Sequence, residues 1–497
     1  MKQLAVLVCL SLAGYWSILQ SPLFYLDDAL RVVTHTSINQ GVHGRPIADW
    51  LYFLLSGGTF LDVSPLSQIL ALAFMLAGSL LIAHAFVPQK KASWHVACFA
   101  LLFILLPLHY SVICFRYDSF GIGVAVFCAG AAFFLLRQGI SLWRFLGASL
   151  LFLVTLSIYQ PMCGIYFCAC CMLLSHNILR EKLSLAIRRF SISIAASLCG
   201  GFLYIPVYLH AKSAQLQPFY GLPNHPYTIA HSAFGTAGSF LATLGRNIKT
   251  FLDCVGNLFG SDLISFCIAM FIVMAFHSAL AFRTSHLRKL SSLLCMGVAF
   301  LSCGAIQFLL REPIFPARTL TPLCLFVFCL LLFSLSNGTR WCRRGAVCLA
   351  LICILSSAGV LTTLGNALRD QQYFNEKMVM QPLSEDFSRL FKEQGPFSFF
   401  VANSSTLPLP YSLAVLRKRY SYIDHQSGFF TVLPFLSLLP LTYDLEKTLS
   451  ESYKNLAAYP RIVSRLGYTL YRVSPSCYAI EFNTGYVPEL VTKFQTD

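Results

Sequence analysis

Between Phe24 and Trp50 the chain reads FYLDDALRVVTHTSINQGVHGRPIADW, a dense run of reactive groups in a protein with only 11% charged residues. Asp27 and Asp28 are adjacent, Arg31 lies one helical turn on, and His35, His43, Arg45 and Asp49 follow. Two neighbouring carboxylates can raise one another's pKa and supply a general base. Adjacent residues point in different directions, so at most one of them faces a substrate while the other orients a neighbour. The arginines offer bidentate contact to a phosphate. The plainer alternative is a solvated loop in which Asp27 or Asp28 caps a helix starting at Ala29.

Further polar groups recur at the edges of apolar runs. Arg116 and Asp118 stand in Arg116-Tyr117-Asp118-Ser119, and Tyr159 and Gln160 precede Pro161. Arg311 has an acidic sequence neighbour in Glu312, whereas Arg318 has none, which makes Arg318 the better phosphate ligand. A charged lipid substrate at a membrane interface requires a base, cations for a phosphate leaving group and a groove for the tail. Asp27 or Asp28 suits the first role, and Arg318, Arg45 and Arg31 suit the second. Asp118, Arg116, Tyr159, Gln160 and His43 are the expected substrate contacts. For Asp118, Gln160 and His43 the alternative is ordinary capping or solvation.

The elements that must position these groups are membrane helices. Hydrophobic residues make up 56% of the chain and aromatic residues 14%, the composition of a polytopic membrane protein. The net charge of +15 is not a nucleic-acid stripe. Fifteen basic residues, from Lys2 through Lys90, Lys91, Arg137 and Arg188 to Arg344, gather in short clusters between apolar runs with Glu181 as their one acid. That is the positive-inside pattern. Apolar runs begin at residues 4–19 and continue at 66–87, 95–114, 119–136, 145–160, 162–179, 190–210, 262–282, 290–310, 320–336 and 345–364. The expected fold is an all-α bundle of about 11 transmembrane helices, its N-terminus cytoplasmic and its C-terminus on the outer face. The membrane domain then spans residues 1–365, with outer loops at 22–65 and 211–261. A small α/β domain occupies 366–497, carrying an amphipathic helix over Asn366–Gln394 and strands at Phe397–Val401, Gly467–Val473 and Tyr478–Phe482. Within the long loop, Phe240–Phe259 reads as a helix on the membrane surface. The 19 cysteines fall mostly in apolar runs and form no ligand set with partners, so no metal site is expected.

The acidic pair of YLDDALRV just after the first apolar run, followed by Gly44-Arg45-Pro46 in HGRPIADW, resembles the Gtr family of serotype-converting O-antigen glucosyltransferases. The RYDS and IYQP turns fit the same pattern, as do the length and the polytopic layout. The resemblance implies a bacterial inner-membrane glycosyltransferase of GT-C type. Its donor would be undecaprenyl-phosphate-glucose, brought to the periplasmic face by a separate flippase after a donor synthase has made it. Its acceptor would be a sugar of the O-antigen lipopolysaccharide, with Asp27 or Asp28 as base, inversion at the anomeric carbon and serotype conversion as the outcome. No cofactor is implied, although an Asp-Asp pair could hold a divalent cation. A transporter or flippase of lipid-linked saccharide would place charges near the bilayer midplane, and the predicted helix interiors carry almost none. An acyltransferase would need a supported histidine, and His84, His109 and His277 have no obvious partners in sequence. The charge pattern generates a test of topology: alkaline phosphatase fused after Asn366 should be active, and inactive phosphatase with a fluorescent green-protein fusion at that point would reverse the arrangement.

Overall fold

The computed structural model describes residues 2–21, 28, 44–58, 61–87, 93–139, 141–214, 240–258, 262–311, 313, 315–401, 442–443, 456–465 and 467–482. Each expected apolar run coincides with a helix: Lys2–Leu19, Leu66–Phe86, Ser93–Leu105 with Tyr110–Cys114, Ser119–Arg137, Leu142–Ile158, Cys163–Arg180, Leu183–Ala214, Leu263–Ala281, His286–Ser302, Thr321–Asn337 and Arg340–Asn375. Among the described residues, seven helices are long and apolar enough to cross a membrane, or eight when the bent pair counts as one span. Ala5–Leu19 and Leu142–Ile158 are apolar but shorter. At 1.5 Å per residue they fall short of a hydrocarbon core of about 30 Å. The chain is therefore a helical membrane protein with a small sheet, and helix length alone does not establish eleven crossings.

The 321–337 helix is apolar on every side, and every residue from Leu320 to Ser334 is buried. Such a helix has no solvent or lipid face and must sit centrally. It packs among the 93–105, 163–180 and 263–281 helices. The 183–214 helix is the opposite case, with Leu198, Phe202, Ile205 and Leu209 on its surface, as lipid contact requires.

Small residues set how closely the helices meet. A Cβ placed on Gly123 would stand 2.6 Å from Ala71 Cα, and one on Gly130 would stand 2.6 Å from the Gly78 carbonyl oxygen. Ala71 and Gly78 are seven residues apart, as are Gly123 and Gly130, so two turns of each helix touch backbone to backbone. Without a hydrophobic driving force inside lipid, such close approach is what holds helices together. This pair fixes the start of the 119–137 helix and thereby the turn before it.

A second device is the break at Pro107. The helices Trp94–Leu105 and Pro107–Cys114 meet at 48°. Proline lacks the N–H that would continue the ladder and clashes with the preceding turn. Leu106, just before it, takes φ −56° and ψ 129°, the extended conformation favoured ahead of proline. The bend turns the chain into Phe115–Asp118 instead of letting it run on.

In the tail, the Arg340–Asn375 helix continues through a π-helical segment, Glu376–Met380, into Gln381–Gln394. Val379, Leu383, Phe387 and Leu390 then cover one face of a five-stranded sheet with strand order β2-β1-β5-β4-β3. These strands are β1 Ser398–Val401, β2 Thr442–Tyr443, β3 Arg461–Ser464, β4 Tyr468–Ser474 and β5 Cys477–Phe482. β1 runs parallel to β2 and β5, and β3-β4-β5 is an antiparallel meander. Asp386, buried between helix and sheet, accepts hydrogen bonds from Arg465 (2.9 and 3.1 Å) and from the Tyr468 hydroxyl (2.7 Å). The expected 366–394 helix and the three expected strands are present. The Gly130 contact yields a test of packing. Gly130→Ala should cost about 1–3 kcal/mol by overpacking, read as a lower melting temperature of a detergent-solubilised fluorescent fusion. Gly201→Ala, where a Cβ meets nothing within 4 Å, should leave stability unchanged or raised.

Candidate functional site

Five segments far apart in sequence meet at one end of the bundle, and each arrives for a local reason. Gly44 has φ +74°, a conformation that side chains rarely take, and a Cβ there would lie 2.4 Å from Tyr208 and 2.6 Å from the Tyr204 hydroxyl. Only glycine fits. Pro46 occupies the first turn of the Pro46–Leu55 helix, where its missing N–H costs nothing. Arg45, held between them, is aimed by both neighbours. Its Nε donates to Gln160 Oε1 at 2.7 Å, and its guanidinium lies 4.5 Å from the Tyr159 ring centroid. Gln160 Nε2 reaches the Tyr204 hydroxyl at 3.0 Å, and that hydroxyl donates to the Gly44 carbonyl at 2.7 Å. The GRP and YQP motifs are therefore two halves of one contact.

The 115–118 turn faces two ways. Towards the first helix, the backbone N–H groups of Arg116 and Tyr117 donate to the two oxygens of Asp28 at 2.6 and 3.4 Å. Asp28 is fully buried. The Arg116 side chain donates to Asp62 at 2.7 Å and to the Ser21 carbonyl at 2.8 Å, while the Ser67 hydroxyl donates to the Arg116 carbonyl at 2.6 Å. The Tyr117 ring packs 4.7 Å from Tyr52. Towards the central helix, Phe115 lies under the Arg318 guanidinium, 4.4 Å from centroid to carbon.

Arg318 itself is placed by the Ala317–Leu320 3-10 turn ahead of the central helix. The Phe240–Leu258 helix steadies the approach to that turn. Asn247 donates to the carbonyls of Phe308 and Leu310 at 3.1 and 2.7 Å, and Phe251 packs against Phe300, Phe308 and Phe315. The helix expected on the membrane surface thus buries Asn247 and Phe251 against the 308–315 segment and leaves Leu241 and Leu252 exposed. Burial pulls the Arg45 guanidinium down from its usual range; Arg318 adds to the fall, while Tyr159, Asp118 and Tyr204 oppose it. Arg45, Arg318 and Asp118 consequently share one electrostatic neighbourhood. Arginine both stacks on aromatic faces and binds planar anions such as phosphate in a bidentate way.

Near the start of the central helix is an apolar groove lined by Leu106, Pro107, Leu258, Ile268, Leu323 and Val327, with Asp262 and Ser265 also on its wall. Asp27, Arg31 and His43 lie outside the described residues. Of the other expected site residues, the structure joins Arg45, Tyr159 and Gln160 directly and sets Arg318 and Asp118 next to them. It puts Asp28 and Arg116 on the other side of the same turn. Sequence reasoning passed over Asp62, Phe115, Tyr204 and Tyr208. The two tyrosines, four residues apart near the end of a lipid-exposed helix, were the available signal. Among the described residues no three His, Cys, Asp or Glu side chains converge.

The Asp28 geometry predicts a stability effect. Asparagine would offer one acceptor and turn an N–H donor toward a backbone N–H, leaving a buried donor unpaired. Asp28→Asn should therefore destabilise the protein by about 1–3 kcal/mol, measured as a drop in melting temperature in detergent.

No curated protein and no solved structure matches the chain. The family of glucosyl transferase GtrII matches residues 16–329, which include Asp28, Arg45, the 115–118 turn, Gln160 and Arg318. That match covers more than half of the sequence and every residue of the site just described, and the chain belongs to the glucosyl transferase GtrII family.

Proposed function

We propose that this glycosyltransferase moves glucose from undecaprenyl-phosphate-glucose to an O-antigen sugar at the periplasmic face of the bacterial inner membrane, with serotype conversion as the result. The observation that carries the reading is the meeting of Arg45 and Arg318 on aromatic supports, with an apolar groove near the start of the central helix. Head and tail of a lipid phosphate need that combination. The donor phosphate lies between the two guanidiniums, and the first isoprene units lie along Leu323 and Val327, five and nine residues on from Arg318. Tyr159, Gln160, Asp118 and Tyr204 line the space left for the sugars.

In the reaction the acceptor hydroxyl oxygen bonds to the anomeric carbon as the bond from that carbon to the phosphate oxygen breaks. The hydroxyl proton passes to a carboxylate, and the polyprenyl phosphate leaves with the electron pair, its charge met by Arg45 and Arg318. One displacement inverts the anomeric centre. Asp28 already accepts two backbone N–H bonds in a buried position, so it serves as the residue that orients the 115–118 turn. Asp27 is then the base, and no metal takes part in this scheme.

Both assignments are tested in cells supplied with donor and flippase, by mass and linkage analysis of the O-antigen. Asp27→Asn should cut modification by about 10²–10⁴-fold, the usual worth of a general base, with membrane abundance and melting temperature unchanged. Wild-type modification by Asp27→Asn would remove it as the base. Arg318→Lys should lose most activity although the charge stays, because the planar fork is lost; full activity at equal abundance would take Arg318 out of the site.

A further inference from the structure

The opposite end of the bundle carries the basic clusters, and several of its cations are used within the protein. Arg180 donates to Asn337 and Ser336, Arg288 to the Glu181 carbonyl and Arg343 to the Gly338 carbonyl. Arg189 forms a forked pair with Glu181 at 2.7 and 2.8 Å. Arg137 differs. Its Nε makes one long contact, 3.4 Å to the Ala85 carbonyl, and its terminal nitrogens have no hydrogen-bond partner among the described residues.

Arg137 lines a narrow cleft between the 119–137, 163–180 and 183–214 helices. Arg189, Asn177 and Ser193 share its wall with the apolar Phe133, Leu136, Leu173 and Phe190. Asn177 is 3% exposed, and its amide has no hydrogen-bond partner among the described residues. An amide at the wall of a cleft can be completed by water or by a ligand held there. The cleft is therefore lined by two guanidiniums, one of them paired with Glu181, by the Asn177 amide and by an apolar wall.

We propose that this cleft binds the headgroup of an anionic phospholipid. The three helices that form it are all long and apolar enough to cross the membrane. Basic pockets between membrane helices at the positive end are suited to anionic lipid headgroups. The phosphodiester accepts from the Arg137 terminal nitrogens and the Asn177 amide and balances the excess cation. The glycerol and upper acyl chain lie on Phe133, Leu136 and Phe190. This site lies at the other end of the bundle from Arg45 and Arg318 and is independent of the reaction proposed above.

The test is native mass spectrometry of the full chain in detergent, titrated with phosphatidylglycerol or phosphatidylcholine. Wild type should bind one phosphatidylglycerol about fivefold tighter than phosphatidylcholine, the worth of one basic residue near a lipid surface. Arg137→Gln and, separately, Asn177→Leu should each abolish that preference, with melting temperatures in phosphatidylcholine confirming that both variants fold. Equal binding of the two lipids by wild type would overturn the site, as would an unchanged preference in both folded variants. Displacement of the bound lipid by equimolar inorganic phosphate would overturn the assignment to a lipid.

Discussion

The carboxylate of Asp28, buried and accepting the backbone N–H groups of Arg116 and Tyr117, is the contact on which the site geometry rests. A charge taken out of water is tolerated only when such donors replace its hydration. The turn that supplies them cannot move without leaving the charge unsatisfied. Everything at the site is referred to that turn. Phe115 supports Arg318, Arg116 ties down Asp62, Tyr117 meets Tyr52, and Asp118 balances Arg45. A single acidic side chain beyond the first helix thereby holds the turn that joins the broken helix to the central helix.

The bundle gives this contact a rigid frame by two means that cost no polar burial. Gly123 and Gly130 let one helix lie against Ala71 and Gly78 at backbone distance, which fixes where the 119–137 helix begins. Pro107 then bends the preceding helix by 48°, so the chain between them has only one short path. On the far side, the 240–258 helix anchors the 308–315 segment through Asn247 and Phe251, which holds the approach to Arg318. Catalytic groups held by packing and backbone hydrogen bonds keep their geometry when substrate arrives.

The two ends of the bundle solve different problems with the same residue type. At one end arginines are stacked on Tyr159 and Phe115. At the other, Arg180, Arg189, Arg288 and Arg343 mostly satisfy helix-end carbonyls and Glu181, the role that cations near helix C-termini and between loops ordinarily play. Arginine count alone does not separate the two; the partner of each guanidinium does.

Composition and periodicity determined the class, the apolar helices from the first to the 340–375 segment, and the tail strands, because lipid burial and strand alternation are local properties of sequence. The motifs HGRPIADW, RYDS and IYQP were also legible as polar groups at helix ends. What sequence could not supply was their pairing. That Arg45 donates to Gln160, 115 residues away, depends on a positive φ at Gly44 and on two tyrosines from another helix. That Asp28 is a buried acceptor for a distant turn, and not merely half of an acidic pair, depends on the break at Pro107 and on glycine-to-glycine helix packing. Hydrophobicity is read one residue at a time, whereas hydrogen-bond partners are chosen by the path of the whole chain, and only the tertiary structure decides that path.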